Sequence, residues 1–364
     1  MNTPTETTAT LDSPVVPGNA EQAPPLAGRH IEVCDTTLRD GSHSVAHRFT
    51  LDDVRAISRA LDAAGVDIIE VTHGDGLGGS SFNYGFGAES DIDLIAAARA
   101  EIKNARLAAL LLPGIGTVES LLAAVDAGID TVRVATHCTE ADIAIQHIQE
   151  AKRLGLEVAT FLMMSHMAGP NRLASEALIM RDAGADIIYV VDSAGAMLPH
   201  QITERVEAVV SALGGTARVG AHTHNNLGSA VPNALAGARA GASILDGSLH
   251  GFGAGAGNAA TEVLAAALDR SGAETGVDTL ALIDAAEDIV AARYPRALPQ
   301  LDRSSLMLGY AGVYGSFLLH TRRAAERYGV PETDILLELG RRRVVGGQED
   351  AIIDVAIELA AQAG

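Results

Sequence analysis

The chain of 364 residues contains no tryptophan, and aromatic residues make up 3% of it. Reading bases by stacking needs an aromatic platform, so this composition speaks against nucleic-acid recognition. Positive charge is scarce as well: 26 Lys and Arg stand against 46 Asp and Glu, a formal net charge of -20 that repels a phosphate backbone. The two cysteines, Cys34 and Cys138, are too few for a disulfide framework. Long apolar runs are missing, and the densest, "LAALLLPG", is far too short to span a bilayer. No basic start followed by an apolar run opens the chain, so no signal peptide is expected, and a cytoplasmic protein is.

What is present is apolar and periodic. A hydrophobic content of 48% can bury a large core, and the length suits one big α/β domain with a smaller appendage. Residues 1–28 are rich in Thr, Pro, Ala and Glu without apolar periodicity, and are expected to be a disordered tail. One pattern then recurs, in "DAAGVDIIEV", "DAGIDTVRVA", "DAGADIIYVV" and "RAGASILDGS": a helix stopped by glycine, then a β-branched strand. Strands are predicted near 31–35, 67–72, 106–112, 131–136, 157–163, 187–192, 218–223 and 244–248, with helices between them. Eight such units predict a (β/α)8 TIM barrel over 29–275, with a doubly wound open sheet as the alternative. From 276 to 364 the pattern is helical without strands, which predicts a helical C-terminal domain.

In a barrel the chemistry belongs where strands end and loops begin. The first strand runs into "TTLRDGSH", delivering Arg39, Asp40 and His43. The seventh ends in His222-Thr-His224, and residues i and i+2 of a strand share a face, so both imidazoles can reach one divalent ion with Asp40 as an oxygen ligand. Such a set leaves coordination positions open for a substrate carbonyl and carboxylate. The competing reading is two histidines without an ion. Arg39 is either half of an exposed ion pair or a donor to substrate carboxylate and enolate; His43 is either a solvated loop residue or a general base. The glycine run "HGFGAGAGNAATE" fits close backbone packing better than a dinucleotide site, with Asn258 as a supporting or additional ligand. His73, His137, His166, His250 and His320 are given structural roles.

Together "DTTLRDGSH", "EVTHGDGLGGSSFNYGFG", "RVATHCTEAD", "FLMMSHM", "DSAGAM", "GAGAGNA", "LGYAGVY" and "VGGQED" make the chain resemble the 4-hydroxy-2-oxovalerate aldolases, pyruvate-specific class II enzymes akin to HMG-CoA lyase and isopropylmalate synthase. The resemblance covers nearly all of residues 30–360. It implies retro-aldol cleavage of 4-hydroxy-2-oxopentanoate, or a longer homologue, to pyruvate and an aldehyde. It places the metal ligands on Asp40, His222 and His224, with Mn2+ the usual ion. It makes Arg39 the stabilising arginine, His43 the base and Tyr314 the enolate-protonating acid. Ser193 becomes a substrate contact and Leu111 a residue lining the pocket near the aldehyde's alkyl group. It also implies an oligomer and a complex with an acylating acetaldehyde dehydrogenase, contacted by the C-terminal domain, to which the aldehyde is channelled. An acyl-CoA-dependent condensing enzyme or lyase on the same scaffold, and an inactive scaffold for a dehydrogenase, are the alternatives.

Overall fold

The computed structural model describes residues 25–363; most of the expected tail, residues 1–24, lies outside the described residues. The last four tail residues form a turn in which Leu26 is buried and its amide donates to the Ser271 carbonyl at 2.9 Å.

Eight parallel strands close into a barrel, β1 (Glu32–Asp35), β2 (Ile68–Glu70), β3 (Arg106–Leu111), β4 (Thr131–His137), β5 (Glu157–Met163), β6 (Ile187–Asp192), β7 (Arg218–Thr223) and β8 (Ile244–Gly247). The ring shuts where Glu32 of β1 pairs with Ile244 of β8. Helices α1 (Leu51–Ala63), α2 (Asp91–Glu101), α3 (Val118–Asp126), α4 (Ile145–Arg153), α5 (Pro170–Ala183), α6 (Pro199–Leu213), α7 (Ala230–Ala240) and α8 (Thr261–Arg270) form the outer layer. The glycines of the repeat do the stopping: Gly184 and Gly241 follow α5 and α7 with φ of 113° and 119°, a left-handed conformation that L side chains resist.

Alternation along each strand divides the core in two. Outward residues such as Val132 and Val134 of β4, or Ile188 and Val190 of β6, pack under the helices. Inward residues, among them Cys34, Leu110, Phe161, Tyr189 and Val191, fill the barrel. Its N-terminal mouth is closed by a ring of half-buried charges, in which Arg106 and Arg218 each bind Glu32 and Glu157.

Beyond β8 come α9 (Thr279–Asp284), a π-helical segment over Ala285–Ala291, then α10 (Arg303–Ala311), α11 (Phe317–Tyr328), α12 (Glu332–Arg342) and α13 (Asp350–Ala363). Leu282, Ala285, Ala286 and Val290 pack into the barrel's core, whereas Leu308, Phe317, Ile335, Leu339 and Ile352 belong to a separate one. Helices without strands therefore serve both cores, and the second begins after the irregular stretch that precedes α10. This smaller unit is seated on the loop after β5, where His166 Nε2 meets the Gly312 carbonyl at 3.1 Å and Arg343 donates to the Met167 carbonyl at 2.6 Å. Among the described residues no helix is long and apolar enough to cross a membrane.

Candidate active site

The loop after β1 tightens into a short 3-10 helix over Asp40–Val45, which points Arg39, Asp40 and His43 into the C-terminal mouth of the barrel. From β7, separated from β1 in the ring only by β8, come His222 and, just past the strand end, His224. His222 Nε2 lies 3.1 Å from His224 Nε2 and 3.2 Å from Asp40 Oδ2, and His224 Nε2 lies 3.5 Å from the same oxygen. Ligand bonds of about 2.1 Å to a tetrahedral or octahedral divalent ion give ligand-to-ligand edges of about 3.0–3.4 Å. Three donors spaced in this way, all buried, fit such an ion.

Neighbouring groups prepare each donor. His222 Nδ1 is 2.8 Å from Asp246 Oδ2, which aims its Nε2 lone pair at the cluster. Asn258 supports the carboxylate, donating from Nδ2 to Asp40 Oδ2 at 3.0 Å. Burial by itself raises the Asp40 carboxyl, but Arg39 and both imidazoles outweigh it and hold the group well below the usual carboxylate range. Burial pushes His224 down to about 4 despite Asp40 nearby, so its imidazole is neutral and free to ligate at neutral pH. Amides of the glycine run are taken up by the protein itself: Gly253 N–H donates to Ser44 Oγ, Ala256 N–H to Asn226 Oδ1 and Asn258 N–H to the Gly251 carbonyl.

Arg39 is buried rather than exposed. Its Nε donates to Glu70 Oε2 at 2.7 Å, and a terminal nitrogen lies 3.4 Å from Asp40 Oδ2. Burial opposes the guanidinium charge, yet Glu70 and Asp40 outweigh it. Glu70 is shared with Arg133, whose second terminal nitrogen binds Asp246. A closed circuit of buried charges thus runs Arg39, Glu70, Arg133, Asp246, His222, Asp40, with Arg133 packed 4.4 Å from the Phe161 ring centroid and 4.8 Å from that of Tyr189. Sequence reading gave no role to Glu70, Arg133 or Asp246. The available signal was charge inside apolar strands, at the inward parity of "TVRVA" and "ILDG".

His43 lies half-buried at the pocket edge, edge-on to His47 with ring centroids 4.9 Å apart. A Cβ at Gly74 would come within 2.6 Å of His43 Nε2, so only glycine at that place lets the imidazole lie against the loop after β2. His47 in turn stacks on His73 at 3.7 Å. Burial, with His43 and His73 adjacent, pushes His47 down to about 2, which keeps it neutral.

Tyr314 descends from the C-terminal unit into the same pocket, alongside Ser193 and Asp75. Burial, with Asp75 and Asp40 adding to it, raises the phenol above its ordinary value, so it carries its proton at neutral pH. Ser193 Oγ accepts from the Met164 amide at 3.0 Å, which leaves its own hydrogen to donate. Leu111 departs from expectation. It points outward into the helix-side core, because strand parity turns Leu110 inward, and the pocket is lined by Leu110 and Leu112 with Phe161 and Met163.

Residues 30–289 match the HMGL-like family model, and residues 299–361 match the DmpG-like communication domain. The 4-hydroxy-2-oxovalerate aldolase of Roseiflexus sp. (strain RS-1) is 60% identical over 328 residues, covering 90% of this chain and 96% of the relative. The chain belongs to the 4-hydroxy-2-oxovalerate aldolase family. A Rhodococcus erythropolis (strain PR4 / NBRC 100887) aldolase of the same name is 54% identical over 92% of this chain and 96% of its own. Solved structures share the fold. The N-terminal domain of a putative aldolase from Bacteroides vulgatus has a TM-score of 0.67 at 23% identity, over 79% of this chain and 95% of that one. The carboxyl transferase domain Y628A of Rhizobium etli pyruvate carboxylase with pyruvate has a TM-score of 0.75 at 18% identity, over 92% and 62%. Class II aldolases depend on a divalent metal ion, and in this aldolase the donor set of Asp40, His222 and His224 fits one.

Among the supporting groups, buried Asp246 gives the sharpest test. Asp246→Asn keeps the shape but removes the charge that orients His222 and balances Arg133, and such supporting changes weaken metal binding about 10- to 100-fold. Mn2+ titration followed by the electron paramagnetic signal of the free ion should show that loss. An unchanged dissociation constant would mean that Asp246 serves Arg133 alone.

Proposed function

We propose that this aldolase cleaves 4-hydroxy-2-oxopentanoate, or a longer 4-hydroxy-2-oxoacid, to pyruvate and an aldehyde, using Asp40, His222 and His224 to hold a divalent ion, with Mn2+ the preferred one. The observation that carries the reading is the meeting of this donor set with Arg39, His43 and Tyr314 in one pocket. Relatives named as aldolases match over nine-tenths of the chain, which favours this over an acyl-CoA condensing enzyme and over an inactive scaffold.

The bound ion would supply Lewis acidity at the C2 carbonyl and charge stabilisation for the enolate. The residues of the chain do the rest. Arg39, held by Glu70, presents its remaining donors to the substrate carboxylate and to the oxygen on which negative charge grows. Ser193 donates to the oxoacid. His43 takes the proton of the C4 hydroxyl as the C3–C4 bond breaks; the electron pair of that bond moves into the pyruvate enolate and the aldehyde departs. Tyr314, protonated at rest, delivers a proton to C3 and completes pyruvate. Leu110, Leu112, Phe161 and Met163 enclose the alkyl end.

The C-terminal unit is the proposed contact for an acylating aldehyde dehydrogenase. Its match to a communication domain supports this, as do the exposed apolar side chains of Tyr310, Leu319 and Ile357. Co-elution of the two proteins on gel filtration is the expected result.

Removal of the ion is the first test of the reaction. Exhaustive chelation should abolish pyruvate release from 4-hydroxy-2-oxopentanoate, and Mn2+ should restore it. Full turnover with no metal detectable by mass spectrometry would remove the ion from the mechanism.

A further inference from the structure

The pocket opens on two sides, and the two openings differ in charge. One leads past His43 to a cavity walled by Arg296 from the stretch before α10 and by Arg322 and Arg323 from α11. The other leads past Leu112, Met163 and Tyr314 to a cavity that contains Glu140 and no lysine or arginine. Asp75, Tyr84, Ser316 and Glu349 stand between them and face both. Arg322 is matched by Asp302 at 3.2 Å, while among the described residues Arg296 and Arg323 join no ion pair. With the shared Asp75 and Glu349 counted, the first opening sets three arginines against three carboxylates, whereas the second holds Asp75, Glu140 and Glu349 with no lysine or arginine against them.

The substrate and one product of the proposed reaction are 2-oxoacid anions; the other product is an uncharged aldehyde. A chain of net charge -20 repels such anions at a distance, so the opening whose carboxylates are matched by arginines admits them in preference to the one whose carboxylates are not. We propose, resting on the aldolase reading, that the arginine-walled cavity is the access route and outer binding site for the 2-oxoacid carboxylate. The opening beside Glu140 disfavours anions and is indifferent to the aldehyde. Arg39 then receives the carboxylate at the inner end.

The test separates the two reactants in the condensing direction, with pyruvate and acetaldehyde varied in turn at low ionic strength. The double variant Arg296→Glu, Arg323→Glu should raise the KM for pyruvate about fivefold, with kcat and the KM for acetaldehyde unchanged. The difference should shrink at 0.5 M salt, since a Debye length of about 10 Å at 0.1 M falls steeply with added salt. Glu140→Gln should leave the pyruvate KM where it was. Binding of oxamate, an unreactive pyruvate mimic, should weaken in the same proportion when followed by calorimetry. A pyruvate KM and oxamate affinity within twofold of wild type would overturn the proposal, as would equal shifts in both KM values. A wild-type protein that condenses nothing, yet loses oxamate affinity in the double variant, would retain the route and discard the reaction.

Discussion

Arg39→Lys should lower turnover at least about a hundredfold, the scale of losing one oxyanion donor, in a protein that still folds. The reason is geometric. Arg39 spends its Nε on Glu70 at 2.7 Å and sets one terminal nitrogen 3.4 Å from Asp40 Oδ2, so one planar group is anchored while its remaining donors face the pocket. A lysine ammonium can satisfy Glu70 or reach the substrate, but lacks the fork to do both. Circular dichroism and the thermal midpoint establish folding, and kcat for pyruvate release is the measured quantity. A folded variant with a near-wild-type rate would show that Arg39 belongs to the buried charge circuit without touching the substrate.

The second large effect separates His43 from Tyr314. Cleavage needs a base at the C4 hydroxyl, whereas exchange of pyruvate's methyl hydrogens with solvent needs an acid and base at C3 alone. His43→Ala should therefore cripple cleavage by about 10²- to 10⁴-fold, the usual worth of a positioned acid or base, and leave methyl exchange comparatively intact. Tyr314→Phe should slow exchange at least as much as cleavage, because the removed phenol is the group with a proton to give. Deuterium incorporation into pyruvate, followed by NMR beside cleavage rates, reads both. Equal losses in both assays for both variants contradict this division of labour.

Much of the barrel was legible in the sequence because its strands are β-branched runs fenced by glycine. Asp40, His222 and His224 were legible for a related reason: strand ends feed one mouth, and the i, i+2 spacing puts two imidazoles on one face. Leu111 was placed in the pocket by resemblance; the structure turns it outward with its β4 partner Val134, and "LLL", having no internal alternation, offers no local sign of which parity faces inward. Arg133 and Asp246 were invisible for the opposite reason. A charge in an apolar strand is explained only by its partner, and these two are separated by 113 residues. The buried state of Arg39 had the same obstacle, since Glu70 lies on another strand. Tyr314 was placed by resemblance alone; its arrival in the pocket depends on how the second core sits over the barrel, which no local pattern encodes.

The most direct measurement follows wild-type protein, manganese and 4-hydroxy-2-oxopentanoate in D2O by 1H NMR, with no coenzyme A and no nicotinamide cofactor present. The expected result is equimolar pyruvate and acetaldehyde, with one deuterium in the pyruvate methyl group at early times, and no reaction once the ion is chelated. Absence of pyruvate, or its appearance only when coenzyme A is added, would contradict the assignment of this site to metal-assisted retro-aldol cleavage.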